Sequence, residues 1–130
     1  MKKNDVMPII HLQQMPNGGS DITLKKDITN IEDALDKILS LRPVTWYWKE
    51  DTQNSKLNYG FIAQEVEQVL PHLVSEDTWK DGSTRRFLST NNMLPYVIHA
   101  IKEQQTQIDE LRELVHEIRK AKQIDSQDVL

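Results

Sequence analysis

Gly18-Gly19-Ser20-Asp21, followed by Leu24-Lys25-Lys26, sets a hydroxyl directly after an unhindered peptide bond, with a lysine five residues further on. A serine hydroxyl is a weak nucleophile at neutral pH and needs a base, which a desolvated, neutral lysine amine can supply. The amide nearest Ser20 is its own, Gly19–Ser20, and glycine there lets the backbone bend without a Cβ clash. Gly19–Ser20 is therefore the candidate cleavage site, with Ser20 and Lys25 as the candidate catalytic pair. The neighbouring Lys26 is a cation that would favour the neutral form of Lys25. The same residues also make an ordinary loop, in which Ser20 caps a turn and Lys25 is solvated. Asp21 suits a hydrogen-bonding role in that turn. This segment alone leaves both readings open.

The rest of the chain has to position that pair. Its 130 residues suffice for one modest domain with a small core. A mean hydropathy of −0.60 is low for a compact globule and suits a small core joined to a long exposed helix. The net charge is −4 and no long Lys/Arg block stands out, which speaks against a nucleic-acid surface; Arg85-Arg86 is the local basic pair. Cysteine is absent, so disulfides, thiol chemistry and zinc–thiolate sites are excluded. The apolar runs are too short for a membrane span, and Met1-Lys2-Lys3 is not followed by the apolar core of a signal peptide. His11, His72, His99 and His116 show no ligand spacing, and there is no phosphate-binding glycine loop, so neither metal nor cofactor is expected.

Residues 1–19 read as an upstream segment, with a short strand over Val6–Leu12 and a dense turn signal at Met15-Pro16-Asn17-Gly18-Gly19. Thr29 and Glu32 have capping-box spacing and predict a helix start, after which Ile31, Ala34, Leu35 and Ile38 share one face. Arg42-Pro43 ends that helix. Val44 to Trp48 is β-branched and aromatic, hence a strand, and Asp51 to Asn58 is a polar loop. Tyr59-Gly60-Phe61-Ile62 leads into a second helix over Ala63–Leu70, with Ile62, Val66, Val69 and Leu70 on its apolar side and Pro71 as its stop. Glu65, in its first turn, suits the helix N-terminus. Leu73–Ser75 and Arg86–Ser89 predict a hairpin around Asp81-Gly82-Ser83. Trp46, Trp48 and Trp79 read as core or assembly packing. The expected fold class is α+β, with a small mixed core over residues 20–90.

From residue 91 the pattern changes. Leu94, Val97, Ile101, Gln104, Ile108, Leu111, Val115 and Ile118 alternate steps of three and four, a heptad seam with Leu94, Ile101, Ile108 and Val115 at a. Pro95 falls in the first turn, where its missing donor does no harm. A helix over residues 91–122 would be about 48 Å long, more than so small a core covers, so the seam needs partner helices; the other reading is a single long helix lying back along its own domain. β-Branched a residues favour two strands and β-branched d residues three, and the seam alone does not choose. Residues 123–130 read as a polar tail.

Ser20-Asp21-Ile22-Thr23-Leu24-Lys25, then Tyr59-Gly60-Phe61-Ile62-Ala63-Gln64-Glu65-Val66 with Pro71 and Val74, then the Leu94–Ile118 seam, stand in a fixed order. Together they resemble the endosialidase-type intramolecular chaperone, the self-cleaving serine-lysine domain at the C-terminus of phage tail spikes, tail fibres and neck appendages. The resemblance covers about residues 20–118. It implies a homotrimeric coiled coil, a β-rich upstream client that the domain helps to fold, and autoproteolysis before the serine. It therefore implies action in the host cytoplasm during virion assembly. Family nucleophile and lysine fall on Ser20 and Lys25. Gln64 and Glu65 are candidate accessory residues that could orient the lysine or the leaving amide. Two departures stand out: Thr23 where the family often has a basic residue, and only 19 residues before Ser20. An inert trimerisation module with the same residues is the alternative reading.

Overall fold

The computed structural model describes residues 19–127, and the chain divides into two compact units, Met1–Asn30 and Ile31–Leu130. The expected strand at 6–12, the turn residues before Gly19 and the last three residues of the tail lie outside the described residues. In the first unit a 3-10 turn, Ile22–Leu24, is the regular element among the described residues.

The second unit runs α1 (Ala34–Leu39), β1 (Val44–Trp46), β2 (Asn58–Gly60), α2 (Ala63–Val69), a 3-10 turn (Pro71–Leu73), β3 (Val74–Thr78), β4 (Thr84–Leu88) and α3 (Leu94–Gln127). It is a mixed helix and strand head followed by one long helix. Helix α1 starts later than the Thr29/Glu32 spacing predicts. Asp33 takes a left-handed conformation (φ 52°) just before it, and no side chain of its own segment caps it. The cap comes instead from far along the chain: Glu103 Oε2 in α3 accepts from the Leu35 amide at 2.7 Å. The predicted apolar face is nevertheless the buried one, since Ala34 and Leu35 are buried with Ala100, and Ile31, Ile38 and Tyr96 pack around them.

Strand β1 is shorter than predicted, and β2 forms where a polar loop and a helix approach were expected. The two pair antiparallel, with Val44 opposite Gly60 and Trp46 opposite Asn58. Gly60 is required there: a Cβ would lie 3.1 Å from the Trp46 ring. Trp48 stacks edge-on against Trp46 but is 63% exposed, and Trp79 is 57% exposed, so neither is core in the single chain. Helix α2 and its proline stop agree with the sequence. Val66, Leu70, Leu73 and Met93 form the main cluster, joined by Ile38, Phe61, Val69, Leu88, Tyr96 and Val97. Ile62, expected on that side, is 39% exposed.

The β3–β4 hairpin pairs Val74 with Leu88 and Thr78 with Thr84. Gly82 closes it at φ 79°, a conformation that disfavours any residue with a Cβ. Arg86 is held by Glu67 at 2.6 Å and lies 3.7 Å from Glu76, so half of the local basic pair is spent on ion pairs. Helix α3 is 34 residues long, extends five residues past the predicted end at 122, and carries Pro95 in its first turn. Only its first turns rest on the head, through Tyr96, Val97, Ala100 and Glu103. Among the described residues no helix is long and apolar enough to cross a membrane.

Candidate active site

Ser20 and Lys25 are five residues apart in sequence, and the backbone between them turns so that the side chains meet. Asp21 is extended (φ −61°, ψ 136°) and caps the 3-10 turn. Its Oδ1 accepts from the Thr23 amide at 2.8 Å and from the Thr23 hydroxyl at 2.6 Å. The turn closes through Leu24 N–H to the Asp21 carbonyl and Lys25 N–H to the Ile22 carbonyl, both at 3.1 Å. Lys25 Nζ then donates to Ser20 Oγ at 2.6 Å. The juxtaposition rests on local polar bonds, because Ile22 and Leu24 within the turn are themselves 73% and 48% exposed.

The two hydrogen bonds from Thr23 hold the Asp21 carboxyl below the ordinary carboxylate range, with a smaller contribution from Lys25. Thr23 therefore has a job that sequence reasoning missed. At position 23 this chain carries the partner that Asp21 grips, and the Asp-x-Thr spacing of a side-chain-closed turn was the available signal.

What the pair can do depends on the direction of its hydrogen bond. With Nζ donating, Ser20 Oγ is an acceptor and keeps its own proton. General-base work needs the reverse, with a neutral amine accepting from the hydroxyl, and removal from water is what favours neutral lysine. Both side chains are exposed in the single chain. The short contact thus satisfies the proximity requirement and leaves the desolvation requirement unmet.

Gln64 and Glu65 belong to the other unit, in the first turn of α2. Gln64 is exposed. Glu65 accepts from both Arg42 Nη2 and Arg42 Nε, the latter at 3.3 Å, which ties the start of α2 to the segment after α1. Of the seam, Val97 packs on the head cluster. Leu94, Ile101, Gln104, Ile108, Leu111, Val115 and Ile118 are exposed.

Residues 20–75 match the family described as chaperone of endosialidase. Over 89 residues the chain is 36% identical to the long tail fiber protein Gp37 of Escherichia phage AR1, covering 65% of this chain and 8% of that protein. Over 110 residues it is 32% identical to the long tail fiber protein Gp37 of Salmonella phage S16, covering 76% of this chain and 15% of that one. The chain thus spans only a small part of the length of the curated relatives it matches. The matched stretch holds the Ser20–Lys25 turn, both strands of the first ribbon and the whole of α2. Over that stretch, a little under half of its length, the chain is similar to the chaperone-of-endosialidase family.

Proposed function

We propose that this chain is an intramolecular chaperone for an upstream fibre or spike chain, and that it removes itself by cutting between Gly19 and Ser20. Three copies associate through α3, hold three client chains in register while they fold, and are then released. In this reading residues 1–19 end the client, 20–90 form the chaperone and peptidase core, 91–122 form the coiled-coil helix, and assembly takes place in the host cytoplasm. The family match and the tail-fibre relatives support the chaperone role. The observation that carries the chemistry is the 2.6 Å contact between Lys25 Nζ and Ser20 Oγ.

The steps follow from the atoms available. Ser20 Oγ attacks the Gly19 carbonyl carbon as neutral Lys25 Nζ takes the hydroxyl proton. The Gly19–Ser20 C–N bond breaks, and Lys25 returns the proton to the departing Ser20 nitrogen. The Gly19 acyl group is left as an ester on Ser20, and water hydrolyses that ester. Burial of the turn on trimer assembly supplies the desolvation that the single chain lacks, so unassembled chains are spared.

A second reading keeps the assembly role and makes the Ser20–Lys25 contact an inert bond of a polar turn. The exposure of both side chains in the single chain favours it. Intact-mass measurement and N-terminal sequencing of the expressed chain decide between them. The first reading expects a product beginning at Ser20. It also expects no cleavage in Ser20→Ala or Lys25→Ala, nor in Lys25→Arg, whose guanidinium stays charged and cannot accept the proton. Full-length material after long incubation of assembled wild type selects the inert module. Normal cleavage in Lys25→Ala removes the mechanism.

A further inference from the structure

In an extended chain Ser20 and Lys25 would lie about 17 Å apart at Cα, beyond the combined reach of the two side chains. The turn between them is what brings Nζ to 2.6 Å from Oγ. The backbone is extended at Asp21 and again at Lys25 (φ −114°, ψ 147°), so the whole reversal falls in Ile22, Thr23 and Leu24. A single short turn fixes several dihedrals for few bonds and does not hold itself. Nor does apolar packing hold it, since Ile22 and Leu24 are exposed. What remains is the Asp21 side chain. One of its oxygens, Oδ1, accepts from both the amide and the hydroxyl of Thr23, at the middle of the reversal.

We propose that Asp21 is a positioning residue for the cut, and that its geometry and its charge act on the cut in opposite directions. The acceptor oxygen builds the turn that sets the amine against the hydroxyl. The charge works against the amine as a base, because an anion near an ammonium favours the charged form, and proton abstraction needs the neutral one. The attraction is mutual: Lys25 is among the groups that hold the Asp21 carboxyl ionised, after the two bonds from Thr23. The other charged groups beside the amine in this segment are Lys26, which acts in the opposite sense, and Asp27, which acts in the same sense as Asp21. An oxygen without a charge at position 21 therefore keeps the turn and releases the base. This rests on the self-cleavage reading above and adds to it the residue that sets how fast, and at what pH, the pair can act.

Asparagine supplies that oxygen, and the test compares it with alanine. The full chain is recovered uncut in denaturant, diluted into native buffers from about pH 6 to about pH 10, and followed by intact mass. Asp21→Ala removes both the acceptor and the charge, and should slow the cut roughly tenfold at the alkaline end, where the amine is already neutral. Thr23→Val should slow it less and leave the rising limb of the pH profile in place, because the carboxylate stays. Asp21→Asn should recover most of the wild-type rate at the alkaline end. Its rising limb should also move down by roughly half a pH unit, and by less at high salt. A residue that only stabilised the fold would change the rate without moving the limb. Asp21→Ala that cuts at the wild-type rate, or an Asp21→Asn profile that superimposes on wild type, overturns the inference and leaves the cut standing. Wild type that stays full length at every pH removes the cut and this role together.

Discussion

The first turns of α3 and the remainder of the same helix carry similar apolar spacing and meet opposite fates. Between Met93 and Glu103 the helix is held on one side: Met93 and Ala100 are buried, Tyr96 and Val97 join the head cluster, and Glu103 caps α1. From Gln104 to Gln127 every residue is exposed, including Leu111 and Ile118 at 60% and 64%. One stretch of heptads thus serves two masters. The g and c residues Met93, Tyr96, Ala100 and Glu103 pack against the chain's own head, and the a residues are left exposed. In proteins most helical stability comes from packing of an amphipathic face, and this half of the helix has none within its own chain.

Breaking the exposed half should have the largest effect. Ile108→Asp would carry a carboxylate into the seam in every copy, at a cost on the order of several kcal/mol per strand. Ultracentrifugation should then fall from three times 15.2 kDa to the single-chain mass, with the head still folded. A trimer that survives this change would mean that the bare half of α3 is not what assembles the protein. Breaking the head core on which the packed half rests should instead unfold the head. Leu70, 1% exposed, should cost about 2–5 kcal/mol as alanine, read from urea denaturation at fixed protein concentration. Equal sensitivity of head unfolding to Leu111→Ala would erase the distinction between the two halves.

The boundary between them is sharper to probe at Glu103. Its Oε2 accepts from Leu35 N–H at 2.7 Å while Oε1 lies 3.0 Å from His99 Nε2. Glu103→Ala should lose about 1 kcal/mol of head stability, in line with an ordinary helix cap, and Glu103→Gln should regain most of it. If both variants match wild type, the long-range cap contributes nothing. The smallest effect belongs to Asp21. Its folded-state value lies below 3.8, so its contribution is complete above that pH and is lost as pH falls through the folded value. Carboxyl NMR titration should place the midpoint below 3.8 in wild type and move it upward in Thr23→Val. An unmoved midpoint would dissolve the proposed clasp.

Much of this was legible in the residues, and the gaps share a cause. Helix α2, its proline stop, the β3–β4 hairpin and the long final helix all follow from periodicity and from Pro and Gly punctuation. The Ser20–Lys25 contact follows too, because it is closed by neighbours. What was hidden depends on partners distant in sequence. Strand β2 is only Asn58-Tyr59-Gly60, weak strand formers apart from the tyrosine, and exists because β1 offers a ladder and Trp46 needs a residue without a Cβ beneath it. The start of α1 was misplaced because Asp33 breaks the first turn and the true cap sits 68 residues away on α3. Trp48 and Trp79 are not core in the single chain, because aromatic content argues for burial without saying against what.

The distance along the chain between Leu35 and its cap also sets an order in time. The Asp21–Thr23 clasp and the Lys25–Ser20 contact close loops of two and five residues, which chains of this kind sample within about 100 ns. The head cannot finish packing α1 until the start of α3, with Tyr96, Ala100 and Glu103, has been synthesised and has folded back, a far slower closure. As a nascent chain emerges, Ser20 and Lys25 are within reach of each other before there is a head at all. Their meeting is therefore not the clock for the proposed cut. The clock has to be whatever arrives last.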